Sequence, residues 1–354
     1  MRIGIPKEVK TLEARVGLIA PACSALVAQG HEVFLEMGAG LASGYPDTDY
    51  IRQGVQIVPD AQSLYMISEL IVKVKEPQPQ EWPLLRAEQR LFCYLHLAAE
   101  PDLSRALCDI GLTAVAFETI SAQDGSLPLL LPMSQIAGKL AVHHGSYYLQ
   151  AQNGGKGCLL GGLAGTQRSR VVVLGAGAAG QAASSLAAAM GADVVVFDKR
   201  QERLQQTRDI APNITTLYAY PDTLAQQIQQ ADLVIGAVLV TGARAPQLLT
   251  REMLSVMEAG SVLVDISVDQ GGCFETTRPT TYADPVYQEQ GITHFAVTNM
   301  PGAVPKTASQ ALSAAILPSL LQLTQDDWQQ NPMLKTGINI HAGQCVHPAL
   351  LSLT

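Results

Sequence analysis

The chain has 354 residues, of which 47% are hydrophobic and 15% charged, so a disordered protein is excluded and two ordinary domains are expected. The formal net charge is −8 and no basic run stands out, so nucleic acid is not an expected partner. The sequence contains no apolar run of membrane-spanning length, no signal-peptide pattern and no CxxC pair among its six cysteines. We therefore expect a soluble cytoplasmic protein with reduced thiols, no membrane segment and no metal site.

The first third of the chain alternates strand and helix patterns. The helical patterns at 21–30 and 99–111 both end at a glycine, which commonly terminates a helix. Strands that alternate with helices predict a parallel, doubly wound α/β sheet. The predicted strands are residues 2–6, 31–36, 55–58, 70–76, 91–97 and 112–119.

A second alternating block follows a helix predicted at 133–150 and a glycine-rich connection at 154–170. Its six strands match the dinucleotide-binding Rossmann sheet. Residues 306–323 then predict a long apolar helix that could cross between domains, and we expect the tail after it to return to the first domain. The predicted strands of this block are residues 171–175, 193–198, 215–220, 232–238, 261–267 and 293–299.

A glycine-rich turn joins the first strand of the second block to the next helix. Gly175, Gly177 and Gly180 have the spacing GxGxxG. In such turns the first glycine permits the tight bend, the second lets the backbone approach a pyrophosphate, and the third lets the helix pack on the strand. Asp198 ends the following strand, where a carboxylate can accept hydrogen bonds from the ribose hydroxyls of NAD and repel a 2′-phosphate. A nucleotide site is favoured over an ordinary glycine turn.

The choice between NAD and NADP depends on the residues around Asp198. Its neighbours Lys199 and Arg200 could hold a 2′-phosphate, so NADP stays possible. The carboxylate favours NAD.

Long motifs along nearly the whole chain resemble the alanine dehydrogenase family, which includes the NAD-binding subunit of proton-translocating transhydrogenase. They include IGIPKE (3–8), EARVGL (13–18), VKVKEP (72–77), YLHLA (94–98), PMSQIAGKLA (132–141), VLVDISVDQGG (262–272) and NMPGAVPKTASQAL (299–312). The resemblance implies that a Rossmann NAD-binding domain (131–304) is inserted into a discontinuous flavodoxin- or Rossmann-like substrate domain (1–130 plus 305–354). It also implies an active site between these two domains.

The implied reaction is the reversible NAD-dependent oxidative deamination of L-alanine to pyruvate and ammonium. Arg15, in EARVGL, matches the substrate arginine of the family, although an isolated loop arginine is more often a solvated surface charge. Arginine can hold a carboxylate through two parallel hydrogen bonds. Lys73 and Lys75 alternate along a predicted strand and would share a face, as an exposed edge pair or as buried groups with partners. The resemblance assigns substrate binding to Lys75 and leaves Lys73 structural.

Two further residues match the catalytic positions of the family. His96, at the end of LFCYLHL, would be the acid/base group, because imidazole titrates near neutrality; a lone histidine at a strand end is more often structural. Asp269, in SVDQGG, would be the second catalytic group, although DQGG could also be a simple turn. His143 and His144 are interpreted as structural.

Further cofactor contacts and a homohexameric assembly are also implied only by the resemblance. The contacts are assigned to Ser134, Arg203, Val238, Leu239, Ile266, Arg278, Asn299 and Met300.

Two alternatives stay open. One is a related dehydrogenase for another amino acid, such as lysine or saccharopine, since pocket size is not visible in the sequence. The other is a non-catalytic NAD(H)-binding module like the transhydrogenase subunit. The presence of Lys75, His96 and Asp269 favours the enzyme.

Overall fold

The structure is a computed structural model that describes residues 1–238 and 245–351. The chain divides into two compact units. Unit 1 contains Met1–Met133 and Gly302–Thr354, and unit 2 contains Ser134–Pro301. Unit 1 is therefore built from both ends of the chain, and unit 2 is one continuous segment.

Unit 1 is an eight-stranded sheet covered by helices. Its strands are β1 (Arg2–Ile5), β2 (Glu32–Glu36), β3 (Gln56–Val58), β4 (Leu70–Val72), β5 (Arg90–Cys93), β6 (Thr113–Ala116), β14 (Ile338–His341) and β15 (Gln344–Cys345). Its helices are α1 (Ala20–Ala28), α2 (Asp47–Ile51), α3 (Ala61–Ile67), α4 (Pro101–Ile110), α10 (Pro305–Leu323), α11 (Pro332–Gly337) and α12 (Pro348–Leu351), with the start of α5 (Leu131–Tyr148).

The strands of unit 1 follow the order β15-β14-β6-β5-β4-β1-β2-β3. Strands β1 to β6 are parallel to their neighbours, and β14 adds antiparallel to β6. The six parallel strands have the Rossmann order, in which the direction of winding reverses between β1 and β4. The central strand β4 is fully buried, as expected of a parallel sheet with helices on both faces.

Unit 2 is a seven-stranded sheet with the order β12-β13-β11-β10-β7-β8-β9. Its strands are β7 (Arg170–Leu174), β8 (Asp193–Asp198), β9 (Ile214–Tyr218), β10 (Leu233–Gly236), β11 (Val262–Asp265), β12 (Val286–Glu289) and β13 (Ile292–Phe295). Its helices are α6 (Ala178–Ala189), α7 (Gln201–Arg208), α8 (Pro221–Gln229) and α9 (Arg251–Leu254), with the rest of α5. Strands β7 to β11 and β13 are parallel to their neighbours and have the Rossmann order, whereas β12 is antiparallel to β13.

The α/β fold with two doubly wound sheets is confirmed, while two local expectations need correction and some short strands had not been predicted. The strand predicted at 70–76 ends at Val72, although backbone hydrogen bonds to the segment of β5 continue at Lys73 and Val74. Strand β12 and the hairpin of β14 and β15 were not predicted. Helix α10 lies wholly within unit 1, so it does not cross between domains. Within the described ranges, no helix is both long enough and apolar enough to span a bilayer.

Candidate active site

Four neighbouring strands of unit 1 end at the same edge of the sheet, and the segment after each carries a polar side chain. Arg15 follows β1, Lys75 follows β4, His96 follows β5 and Glu118 follows β6. The strands are parallel, so these segments lie at the carboxyl edge around the reversal point between β1 and β4. Ligands of doubly wound sheets bind at this place.

Arg15 is a buried cation with a fixed orientation. Its residue exposure is 2%, so it is not a solvated surface charge. The Glu13 carboxylate accepts hydrogen bonds from Arg15 Nε at 2.7 Å and from Nη2 at 2.5 Å. Arg15 Nη1 lies 3.1 Å from the sulfur of Met133. Glu13 thus fixes one edge of the guanidinium, and Nη1 has a soft, weakly accepting neighbour in the Met133 sulfur.

Lys73 anchors the segment that carries Lys75. Its side chain is 0% exposed, and its Nζ lies 2.7 Å from Glu81 Oε1 and 3.4 Å from Glu8 Oε2. Burial opposes the charged form of Lys73, but the two carboxylates outweigh it and raise the pKa of Lys73 above its ordinary value. Lys73 therefore has a structural role in this unit.

The surroundings of Lys75 differ from those of Lys73. Lys75 is half-buried, and beside it the Glu76 carboxylate interacts with Lys10. Because β4 has already ended, the two lysines do not alternate along a regular strand. The substrate role of Lys75 stays a prediction.

His96 lies in a strained turn and reaches solvent. Its φ is +49°, a left-handed conformation that costs a residue with a Cβ about 1–3 kcal/mol. Its side chain is 46% exposed and stacks parallel to Tyr94, with ring centroids 6.1 Å apart. The Glu118 carboxylate accepts a 2.6 Å hydrogen bond from the backbone N–H of His96. His96 is therefore not a buried structural histidine, and its catalytic role stays a prediction.

The three glycines in the turn of unit 2 differ in backbone conformation and in surroundings. Gly175 has φ +104°, which residues with a Cβ rarely adopt. A Cβ on Gly180 would lie 1.7 Å from the carbonyl oxygen of Gly175, so α6 can approach the turn only with glycine there. Gly177 precedes α6 with an ordinary φ of −77°, and among the described residues a Cβ on it would meet only Arg203 Nη1, at 3.5 Å. The space beside Gly177 is therefore open for a ligand.

Asp198 and Arg203 border this turn. Asp198 Oδ2 accepts a 2.8 Å hydrogen bond from the backbone N–H of Ala176, inside the turn, and Oδ1 accepts one from Arg200 N–H. These contacts hold the carboxylate at the carboxyl end of β8. An open glycine turn before a helix, with a fixed carboxylate and an arginine beside it, fits the pyrophosphate and ribose of a dinucleotide.

The loop with Asp269 is fixed by a buried carboxylate, Asp265, at the end of β11. Asp265 accepts hydrogen bonds from Ser267 N–H, Cys273 N–H and the Thr277 hydroxyl. Burial raises the pKa of Asp265, and these donors oppose that shift. Asp269 lies exposed in the short 3-10 turn over Ile266–Gln270. A turn is thus present, and it presents the Asp269 side chain to solvent.

The other predicted cofactor residues lie at several places in unit 2. Val238 follows β10, and its carbonyl oxygen accepts from the Ser267 hydroxyl at 2.7 Å, which brings it beside Ile266. Leu239 lies outside the described residues. Asn299, with φ +57°, and the buried Met300 follow β13 at the same carboxyl edge.

Two more of these residues belong to other elements. Ser134 is half-buried in the first turns of α5. Arg278 is exposed, and its guanidinium lies 4.1 Å from the ring centroid of Tyr287.

Two family models cover most of the chain. The model described as alanine dehydrogenase/PNT, N-terminal domain, matches residues 4–137, and the C-terminal domain model matches residues 141–348. The chain belongs to the alanine dehydrogenase/PNT family.

Relatives within this family match over the full length. An alanine dehydrogenase of Halomonas elongata is 45% identical over 99% of this chain and 96% of that protein. A solved L-alanine dehydrogenase superposes with a TM-score of 0.96 at 44% identity, covering 100% of this chain and 99% of that one. A transhydrogenase from Sinorhizobium meliloti superposes with a TM-score of 0.84 at 27% identity, covering 99% and 100%. This family member is thus more similar to the dehydrogenases than to the transhydrogenase.

Sequence reasoning missed three residues that support the candidate site, namely Glu13, Glu118 and Asp265. Each is buried or half-buried and hydrogen-bonds the segment that carries a predicted site residue. Glu118 and Asp265 come at the carboxyl end of an apolar strand, and that signal was available. Glu13 lies two positions from Arg15, whose guanidinium it binds. In the sequence it cannot be distinguished from a solvated surface carboxylate.

Proposed function

We propose that this chain is an NAD-dependent L-alanine dehydrogenase. It would convert L-alanine, NAD⁺ and water to pyruvate, ammonium and NADH, and run the reverse reaction as well. The observation that carries the proposal is the convergence of Arg15, Lys75 and His96 on one edge of the unit 1 sheet. This edge offers two cations for a carboxylate and an oxo group, together with an exposed imidazole for proton transfer.

In the proposed mechanism Arg15 and Lys75 hold the substrate. The Nη1 side of the Arg15 guanidinium would bind the carboxylate in place of the Met133 sulfur, while Glu13 keeps the opposite side in position. Lys75 would hold the oxygen of the oxo acid. Bound NAD⁺ supplies a hydride acceptor. The glycine turn, Asp198 and Arg203 would hold that cofactor, with Ser134, Val238, Leu239, Ile266, Arg278, Asn299 and Met300 as further contacts.

His96 and Asp269 would move the protons. Loss of a hydride from Cα would leave an imine, and neutral His96 would take a proton from the water that adds to the imine carbon, which forms a carbinolamine. His96 would then return a proton to the amino group. The C–N bond would break and ammonia would leave as the C=O bond forms, with the hydroxyl proton passing to Asp269. Asp269, exposed in its turn, would be the second group for proton transfer. The chain supplies every proton-transfer group of this scheme from side chains.

The experiment that tests the function is an absorbance assay at 340 nm with NADH, ammonium and a panel of 2-oxo acids. Fast oxidation with pyruvate and slow oxidation with bulkier acids would support alanine dehydrogenase. Fast oxidation only with a larger oxo acid would point to another amino-acid dehydrogenase. Tight NADH binding without oxidation of any acid would replace the proposal with the hydride-exchanging module.

Cofactor preference gives a separate prediction. Replacing Asp198 with alanine removes the carboxylate that would accept from the ribose hydroxyls and repel a 2′-phosphate. We expect the Asp198→Ala variant to bind NADH about 10- to 100-fold more weakly, on the scale of one lost charge-assisted pair, with a smaller effect on NADPH. Titration of each cofactor by fluorescence measures this ratio. An equal loss of affinity for NADH and NADPH would contradict the ribose role. It would show that Asp198 acts only by supporting the backbone at Ala176 and Arg200, which affects both cofactors equally.

We also place the protein in the cytoplasm as a homo-oligomer, with a hexamer as the expected size. Exposed apolar side chains support the oligomer, since Leu159 and Leu163, on the glycine-rich connection, are 63% and 71% exposed. Light scattering on the purified protein measures the size. A monomer at micromolar concentration would contradict this assignment.

A further inference from the structure

Glu118 lies beside His96 because their strands are neighbours. Strands β5 and β6 pair in parallel, with Cys93 opposite Ala116, and each chain then turns at the same edge of the sheet. Glu118 occupies the 3-10 turn Phe117–Thr119 directly after β6. Its side chain is 13% exposed, against 46% for His96, so the carboxylate lies behind the imidazole.

The Glu118 carboxylate binds the backbone of the turn that carries His96. Its Oε1 accepts from His96 N–H at 2.6 Å, and both oxygens lie 3.2 Å from Leu95 N–H. Hydrogen bonds to a charged acceptor are stronger than those to a neutral one, and several together can offset the cost of a left-handed residue with a Cβ. These bonds can therefore hold His96 at its φ of +49°.

The same carboxylate also faces the imidazole itself. His96 Nδ1 lies 3.9 Å from Glu118 Oε1, longer than a hydrogen bond but close enough to attract an imidazolium. The Glu118 carboxylate also interacts electrostatically with His347 in the C-terminal segment. Burial lowers the pKa of His347, and the Glu118 carboxylate opposes that shift. Glu118 is thus placed to act on His96. The competing role is an interaction with His347 in the C-terminal segment.

We propose that Glu118 is the positioning residue for His96, fixing the strained backbone and the direction of the imidazole without touching substrate. The inference rests on the proposed dehydrogenase function, in which His96 transfers protons. It makes the reactivity of His96 depend on a residue from the adjacent strand.

The test combines steady-state kinetics with cofactor binding for Glu118→Ala and Glu118→Gln. A displacement of a reacting group by about 1 Å can cost up to about 10² in rate, so we expect Glu118→Ala to lower kcat about 10- to 100-fold. KM for pyruvate and Kd for NADH should stay within about twofold, because the groups proposed to bind them are intact. Glu118→Gln keeps one acceptor oxygen and should recover part of the loss.

A double variant separates action through His96 from a general structural effect. If Glu118 acts through His96, the His96→Ala/Glu118→Ala enzyme should be no slower than His96→Ala alone. Two controls accompany it. Glu100→Gln removes an exposed carboxylate from the same loop and should leave kcat unchanged. His347→Asn removes the partner in the tail and should also leave kcat unchanged.

Four results would overturn the proposal. They are multiplied losses in the double variant, a rise in KM or Kd that matches the fall in kcat, a loss in His347→Asn that equals that of Glu118→Ala, and a crystal structure of Glu118→Ala with His96 unmoved. The crystal structure reads the positioning directly. An inactive wild-type enzyme would therefore refute the dehydrogenase function and leave the positioning role to be judged on its own.

Discussion

Replacement of His96 by alanine is expected to lower kcat for both directions of alanine and pyruvate interconversion by about 10²–10⁴-fold, the range that general acid–base catalysis supplies. The reason is the placement of this half-exposed side chain at the carboxyl edge of the unit 1 sheet. It follows the strand next to that of Lys75 and two strands from that of Arg15. The glycine turn belongs to unit 2, so the Kd of NADH should not change. Stopped-flow turnover and fluorescence titration measure the two quantities on one sample.

The control for this variant is His143→Ala. His143 is an exposed histidine on α5 with no proposed part in the reaction, so its loss should leave kcat near the wild-type value. If His96→Ala retained near-normal kcat, proton transfer would have to be assigned elsewhere, and Asp269 would be the next residue to replace.

The second large effect is expected from the two glycines at the start of α6. A methyl group on Gly180 would overlap the carbonyl oxygen of Gly175 at 1.7 Å, so Gly180→Ala must move α6 away from the turn. Overpacking of this kind costs about 1–3 kcal/mol, and each kcal/mol lowers Tm by about 2–4 °C in a domain of this size. We expect a lower Tm together with the loss of measurable NADH binding.

Gly177→Ala is the matched variant. Within residues 1–238 and 245–351 its methyl group would meet only Arg203, at 3.5 Å, and its φ of −77° suits alanine, so Tm should stay near wild type. The same methyl would fill the space proposed for the pyrophosphate, so Kd for NADH should rise at least about tenfold. Calorimetry and titration together separate the two glycines. Wild-type NADH affinity in Gly177→Ala would show that the pyrophosphate does not approach this residue.

Much of the fold could be predicted because parallel strands are buried on both faces and appear as continuous apolar runs. Strand β7 is an example, since four of its five residues are buried. The hairpin of β14 and β15 could not be predicted in this way. Its strands have four and two residues, and β14 owes its position to pairing with the distant strand β6. Such short edge strands depend on tertiary contacts that local patterns do not encode.

The candidate site was predictable where a residue is itself reactive and not where it serves another residue. His96 and Asp198 could be chosen because imidazole and a strand-end carboxylate have known chemistry. The ion pairs of Glu13 with Arg15 and of Glu81 with Lys73 could not be predicted, because charged residues are usually solvated. Only the fold shows that these residues are buried.

The division of unit 1 between the two ends of the chain sets the order in which the protein can be completed during synthesis. Val16 N–H donates to the hydroxyl of Ser309, and Val115 pairs with Ile338, so unit 1 requires residues made long after its first strands. Unit 2 is continuous and has all its strands once Phe295 has been added. On the ribosome, the nucleotide-binding unit is therefore complete first. The outer edge of β6 stays unpaired until its partner strand, β14, has been synthesised. A chaperone that covers this edge would protect the growing chain at its most aggregation-prone stage.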